Sequence, residues 1–132
     1  MKYLLDTHVF IWAISGPDQL SKKVQKIIED RNNIVVVSVI TFWEIALKFS
    51  VGKVLIDGIN PDNLINTCDK MGFLHLSLHP ETCTTYHKLS ATHHKDPFDR
   101  MLIWQAIKDN YCLISKDETI HKYQEQGLNV IW

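Results

Sequence analysis

The chain has 132 residues, 45% hydrophobic and 22% charged, with a formal net charge of -1, which bounds it to one globular domain with a single substantial core. No apolar run approaches the ~20 residues needed to span a bilayer. The acid at position 6 in Met1-Lys2-Tyr3-Leu4-Leu5-Asp6 comes too early for a signal peptide. Cys68, Cys83 and Cys112 are odd in number and form no CxxC pair, so they read as reduced thiols of a cytoplasmic protein.

Tyr3-Leu4-Leu5 predicts a first strand, ended by Asp6, and Val9 to Ile14 a short helix. A second helix runs from Ser21, a residue type suited to capping, to Arg31. Ile34-Val35-Val36-Val37 is unbroken and apolar, as expected of a central strand covered on both faces. Helices follow at Ile40 to Val51 and at Pro61 to Met71. The second of these is opened by Asn60-Pro61 and closed by Gly72. Phe73 to Leu76 predicts a strand, and Glu81 to Leu89 a helix. Asp96-Pro97 opens a longer helix to Asn110. Cys112-Leu113-Ile114, a helix at Glu118 to Glu125, and the strand Asn129-Val130-Ile131 complete the chain. Gly52 to Asn60 and Ser90 to Lys95 read as loops. Alternation of this kind implies βαβ units, right-handed crossovers and a parallel sheet. No repeat or linker interrupts residues 1–132, which therefore read as one domain.

In open parallel sheets ligands bind outside the carboxyl ends of the strands. Asp6 directly follows the first strand run and Asp117 lies three residues past the fourth. Glu44 falls on the second turn of the helix after Ile34 to Ser38. Three sequence-distant acids are thus expected on one edge of the sheet. Asp99 opens a helix that leads into the next strand, and pattern alone leaves its convergence open. Taken singly, Asp6, Asp99 and Asp117 also fit helix caps, the pair Asp96 and Asp99 resembling a capping box. Glu44 lies inside Ile40-Thr41-Phe42-Trp43-Glu44-Ile45-Ala46-Leu47 and has no cap reading. An ion pair with Lys48, four residues on, would explain it on an exposed face. A carboxylate in apolar company is otherwise costly unless its charge is compensated. A divalent cation shared by the four acids is the simplest compensator.

Tyr3-Leu4-Leu5-Asp6-Thr7-His8, Ser38-Val39-Ile40-Thr41-Phe42-Trp43-Glu44-Ile45, Asp96-Pro97-Phe98-Asp99-Arg100 and Ser115-Lys116-Asp117 together resemble the four signature segments of PIN-domain nucleases. More narrowly they resemble the VapC-type toxins of bacterial toxin–antitoxin pairs. The resemblance runs nearly end to end. It implies a three-layer α/β/α fold with a central, mainly parallel sheet of four to five strands. It also implies a magnesium- or manganese-dependent endoribonuclease, dimeric and inhibited by a co-expressed antitoxin. By the same resemblance Asp6, Glu44 and Asp99 form the catalytic metal-binding core. Asp117 is the fourth acid, supporting the site or a weaker second metal. Ser115 stands where many relatives have threonine, and Asp96, an extra acid of the subgroup, is kept as a helix cap.

Carboxylates and water suit hard cations such as Mg²⁺ or Mn²⁺ better than zinc. Such an ion lowers the pKa of a bound water and stabilises charge on a phosphate. Thr7 and Thr41 read either as hydroxyls orienting the ligands or as ordinary helix-entry residues. Lys48, Lys53, Lys95, Arg100 and Lys116 flank the acid segments and offer a basic rim for RNA phosphates, Arg100 and Lys116 being the RNA contacts expected. The pair His93-His94 reads as a solvated loop, and His121 as an exposed histidine at the edge of the site. Trp12 is expected in a partner groove, where an antitoxin would lay an apolar segment and direct a basic side chain at Asp6 and Asp99. A phospho-receiver signalling domain is the rival class, but its acceptor aspartate is missing after Leu74-His75-Leu76. An inactive PIN-like binding module would be expected to lack one of the acids.

Overall fold

Alternating side chains along five short strands set the architecture of the computed structural model, which describes all residues from Met1 to Trp132. The strands are β1 (Lys2–Leu5), β2 (Ile34–Ser38), β3 (Leu74–Leu76), β4 (Cys112–Ile114) and β5 (Asn129–Ile131). They form one sheet in the order β3-β2-β1-β4-β5, with every neighbouring pair parallel. Tyr3, Leu5, Val35, Val37, Cys112 and Ile114 face one core, and Leu4, Val36, Leu113 and Val130 face another. This period of two is what a strand covered on both faces requires.

The helices α1 (Thr7–Ser15), α2 (Lys22–Glu29), α3 (Val39–Ser50), α4 (Leu64–Lys70), α5 (Pro80–Thr84), α6 (Pro97–Asp109) and α7 (Glu118–His121) connect the strands. The first core takes Val9, Phe10 and Ala13 of α1, Val24 of α2, and Leu64 and Cys68 of α4. The second takes Ile103, Trp104 and Ala106 of α6, with Ile120 of α7 and Tyr123 beyond it. The three-layer arrangement that the resemblance implies is therefore present.

Local chemistry fixes most element ends. The Ser21 hydroxyl accepts the Val24 N–H at 3.1 Å, Ser38 accepts that of Ile40 at 3.0 Å, and Asp96 accepts those of Phe98 and Asp99 at 2.8 and 3.2 Å. Gly72, at φ 79°, takes the left-handed turn that closes α4, and the Phe73 N–H returns to the Cys68 carbonyl at 3.1 Å. Three expected helices are shorter than their patterns. Pro61–Asn63, Tyr86–Lys88 and Lys122–Gln126 are 3₁₀ turns rather than α-helix. Near α5 the hydroxyls of Thr84 and Thr85 both donate to the Glu81 carbonyl, at 3.2 and 2.6 Å, beside the Thr85 N–H at 3.0 Å, the side-chain bonding that weakens and bends helices.

The chain runs β1, β2, β3 to one side and returns for β4 and β5 on the other. The switch point lies between the carboxyl ends of β1 and β4, where Leu5 pairs with Ile114.

Candidate active site

Asp6 and Ser115 leave these two strands side by side. The Asp6 N–H extends the ladder to the Ile114 carbonyl at 3.0 Å. The Ser115 hydroxyl donates to Asp6 Oδ2 at 2.6 Å, and Asp6 Oδ1 accepts the His8 N–H at 3.2 Å. The aspartate thus caps α1 with one oxygen and is aligned by Ser115 with the other. Ser115 also accepts the Asp117 N–H at 3.1 Å, and Asp117 Oδ1 caps α7 through the Thr119 N–H at 2.8 Å. Both aspartates cap a helix and line one cleft.

Glu44 comes in from α3. It is 3% exposed, and its Oε2 meets the Lys48 ammonium at 2.6 Å. The ion pair exists, but on a buried carboxylate rather than an exposed face. Its Oε1 is buried with no hydrogen-bond partner. Two contacts tie α3 to α6. The Ser38 hydroxyl donates to Gln105 Oε1 at 2.5 Å, and the rings of Trp43 and Phe98 meet edge-on at 5.2 Å.

Asp99, on the first turn of α6, sits at the electrostatic centre. Burial, and then the charges of Asp6, Asp96, Glu44 and Asp117, push its pKa up to about 8. Burial also raises that of Asp6, against the lowering effect of the Ser115 hydrogen bond. Lys48 is raised chiefly by its hydrogen bond to Glu44, with Asp96 and Asp99 adding to it. Asp6, Asp99 and Asp117 open onto a cleft of about 260 Å³ shared with His8, Trp12 and Lys116. All four expected acids are therefore electrostatically coupled, Glu44 from beneath the surface.

One member was discounted in the sequence. His94 reaches Asp99 Oδ2 and Asp117 Oδ2, both at 3.0 Å from Nε2. These three residues bring their ligand atoms within 4.8 Å of one another, and Asp6 and Glu44 stand outside that tighter group. The signal available was position: His94 precedes the capping Asp96 by two residues, and its Nδ1 accepts the Asp96 N–H at 3.2 Å. His93 stays at the periphery, paired with Glu125. His121 donates to the Ser115 carbonyl at 2.8 Å, buttressing the end of β4 rather than standing free.

The expected RNA contacts divide. Arg100 is committed elsewhere: its guanidinium donates to the carbonyls of Leu89 and Ala91 at 2.8 and 2.7 Å and to the hydroxyls of Tyr86 and Tyr123 at 2.8 and 2.9 Å. A side chain whose donors are satisfied by protein is a structural tie, not a free phosphate contact. Lys116 is exposed, lines the cleft, and stands 5.9 Å from the Trp12 ring centre. Trp12 itself packs edge-on against Trp132 at 5.9 Å. The Thr7 and Thr41 hydroxyls lie 3.1 Å apart and buried, joining the starts of α1 and α3.

The residues present fit a hard divalent cation. The donors are carboxylate oxygens, and Glu44 keeps a buried oxygen without a partner, which otherwise costs free energy. The charges around Asp99 favour a compensating cation.

This fold and acid cluster place the chain in a known class: it belongs to the PIN domain family, matching it over residues 3–126. Among solved structures it is similar to VapBC2 from Rickettsia felis bound to a DNA fragment from its promoter, with 18% identity, TM-score 0.69 and coverage of 99% of this chain and 98% of that one. It is also similar to VapBC-1 from nontypeable Haemophilus influenzae, with 20% identity, TM-score 0.67 and coverage of 99% and 97%. DNA-bound VapBC from Salmonella typhimurium gives 17% identity, TM-score 0.68 and coverage of 99% and 97%. These likenesses establish the fold. A comparison with curated proteins finds no match. PIN membership and the lack of an acid at the end of β3 remove the phospho-receiver alternative.

Proposed function

We propose that this chain is a divalent-metal-dependent endoribonuclease, the toxin of a toxin–antitoxin pair. The observation that carries the reading is the acidic cleft of Asp6, Asp99 and Asp117, with Asp99 raised to about 8 by burial and by the charges of its acidic neighbours, Glu44 among them, and Glu44 Oε1 left unpartnered. Membership of the PIN family and the VapBC likenesses support it. The intact acid set argues against a decayed binding module.

Asp6, Glu44 and Asp99 would hold Mg²⁺ or Mn²⁺, and Asp117 completes the acidic wall. Bound there, the cation supplies activation of water and neutralisation of charge developing on the phosphate. Ser115 and the His8 N–H hold Asp6 in one orientation. Thr7 and Thr41 keep α1 and α3 in register beneath it. The exposed Lys116 ammonium at the cleft mouth attracts the RNA backbone. RNA, rather than DNA, and a cytoplasmic setting follow from the resemblance to VapC-type toxins. No helix is long and apolar enough to cross a membrane.

Two partners belong to this reading. An antitoxin would direct a basic side chain into the cleft between Trp12 and Asp99, competing with the cation for the carboxylates. A second copy would cover the outer face of α3, where Trp43, Leu47 and Val51 are 58%, 38% and 70% exposed at helical spacing. Cleavage of radiolabelled RNA in EDTA, then after adding Mg²⁺, Mn²⁺ or Ca²⁺, tests the core of the proposal. Mg²⁺ or Mn²⁺ restores cleavage and Ca²⁺ does not; full cleavage in metal-free buffer overturns it.

A further inference from the structure

The loop before α6 brings an imidazole between two carboxylates. His94 Nε2 lies 3.0 Å from Asp99 Oδ2 and 3.0 Å from Asp117 Oδ2. Its Nδ1 accepts the Asp96 N–H at 3.2 Å. A ring nitrogen that accepts an N–H carries no hydrogen, so the ring's proton sits on Nε2, directed at both aspartates. The backbone around it is pinned: the His94 N–H donates to the Tyr123 hydroxyl at 3.1 Å, and its carbonyl accepts from Arg100 Nη1 at 3.3 Å.

This tautomer is a donor and not a ligand. A neutral imidazole that coordinates a cation through Nε2 needs its hydrogen on Nδ1. There it would confront the Asp96 N–H, which α6 cannot move without breaking its own cap, since Asp96 Oδ1 accepts from Phe98 and Asp99. The ring therefore fills with an N–H the gap that a second cation would need between Asp99 and Asp117, whose ligand atoms lie within 4.8 Å together with that of His94.

We infer that His94 is a built-in occupant of the second cation position and restricts the centre to one divalent ion on the Asp6–Glu44–Asp99 side. Asp117 then acts as an acceptor that fixes the imidazole rather than as a ligand. The inference rests on the metal-dependent reading above and extends it to stoichiometry.

Mn²⁺ titration of the full chain, followed by calorimetry and electron paramagnetic resonance, tests it without reference to activity. The wild-type protein takes one ion per chain. His94→Ala takes a second, with the broadened spectrum of two coupled Mn²⁺ ions, and the double variant His94→Ala with Asp117→Asn returns to one. Circular dichroism checks folding, and His94→Asn, which keeps an acceptor for the Asp96 N–H on a shorter side chain, gives the same second ion should the alanine variant fail to fold. Two ions in the wild type, one ion in folded His94 variants, or ¹⁴N coupling from a ring nitrogen to bound Mn²⁺ each overturns the inference while leaving the nuclease reading intact. No ion in any of the proteins removes that reading and the inference with it.

Discussion

The Ser115 hydroxyl donates to Asp6 Oδ2 at 2.6 Å across a sequence separation of 109 residues, joining the carboxyl ends of the two strands that flank the switch point. The bond favours the charged form of a carboxylate whose burial opposes charge. Ser115→Ala removes it and leaves Asp6 free to turn. Mn²⁺ affinity and cleavage rate should each fall by roughly 10–100-fold, the usual cost of losing a group that orients a ligand. Ser115→Thr, which keeps the hydroxyl, should retain most of both. Calorimetric titration of the two variants separates them.

Lys48 and Glu44 give a second test. Removing the ammonium by Lys48→Met leaves a carboxylate that is 3% exposed without its only partner, and losing one member of a buried pair costs about 3–5 kcal/mol. Stability in EDTA should drop by that order, while the rise in melting temperature on adding Mn²⁺ becomes larger than in the wild type, because a cation supplies the missing charge. Glu44→Gln should do the reverse, because the freed Lys48 ammonium, 26% exposed, reaches solvent and one charge beside Asp99 is gone: RNA cleavage falls by orders of magnitude, metal-free stability holds or rises, and the Mn²⁺ response shrinks. An active, metal-responsive Glu44→Gln protein would take Glu44 out of the centre.

Asp99 predicts a pH dependence with a definite sign. Its folded pKa is about 8 against an ordinary value of 3.8. Across that window the folded state holds a proton that the unfolded state has released, so stability in EDTA falls as pH rises from about 4 to about 8. Metal binding in the same window displaces that proton, and apparent Mn²⁺ affinity should increase with pH and level off above about 8. Asp99→Asn should flatten the fall. Melting curves in EDTA at each pH measure it, and a stability that rises through the window would contradict the placement of Asp99 among uncompensated acids.

The outer face of α3 carries the association prediction. Trp43 and Leu47 lie one turn apart on α3 with Val51 just past its end, all three exposed, and beside Trp43 an apolar groove of about 360 Å³ runs between Ile40, Phe98 and Met101. Exposed apolar area of this kind marks an interface. Trp43→Asp with Leu47→Asp should convert a dimer to a monomer in sedimentation equilibrium, with circular dichroism unchanged. A wild-type chain that sediments as a monomer at all concentrations would exclude the dimer.

Periodicity located all five strands and the acids at their ends, because a strand covered on both faces needs continuous apolar sequence and a carboxylate following it stands out. The same logic marked Glu44 as anomalous in its apolar helix. His94 was illegible for the opposite reason. A histidine in a polar loop has no periodic context, and only the fold back onto the Asp96 N–H, set by α6, brings its ring between Asp99 and Asp117. Arg100 misled in a related way. Adjacency to an acid segment suggested a phosphate contact, yet the turn of about 100° between successive helix positions decides which side of α6 a residue faces. Trp43 is 58% exposed because α3 presents its other side to the sheet.

Neighbouring positions 99 and 100 thus serve different sides of one helix, a carboxylate in the acidic cleft and a guanidinium knotted into the carbonyls of the preceding loop. Successive residues on an α-helix are turned by about 100°, so starting α6 one residue early or late would swing both away from their partners. Asp96 and Pro97, which fix where the first turn begins, act as the phase setting of the acidic cleft. An error there would remove a carboxylate from the cleft without changing a single residue of the sequence.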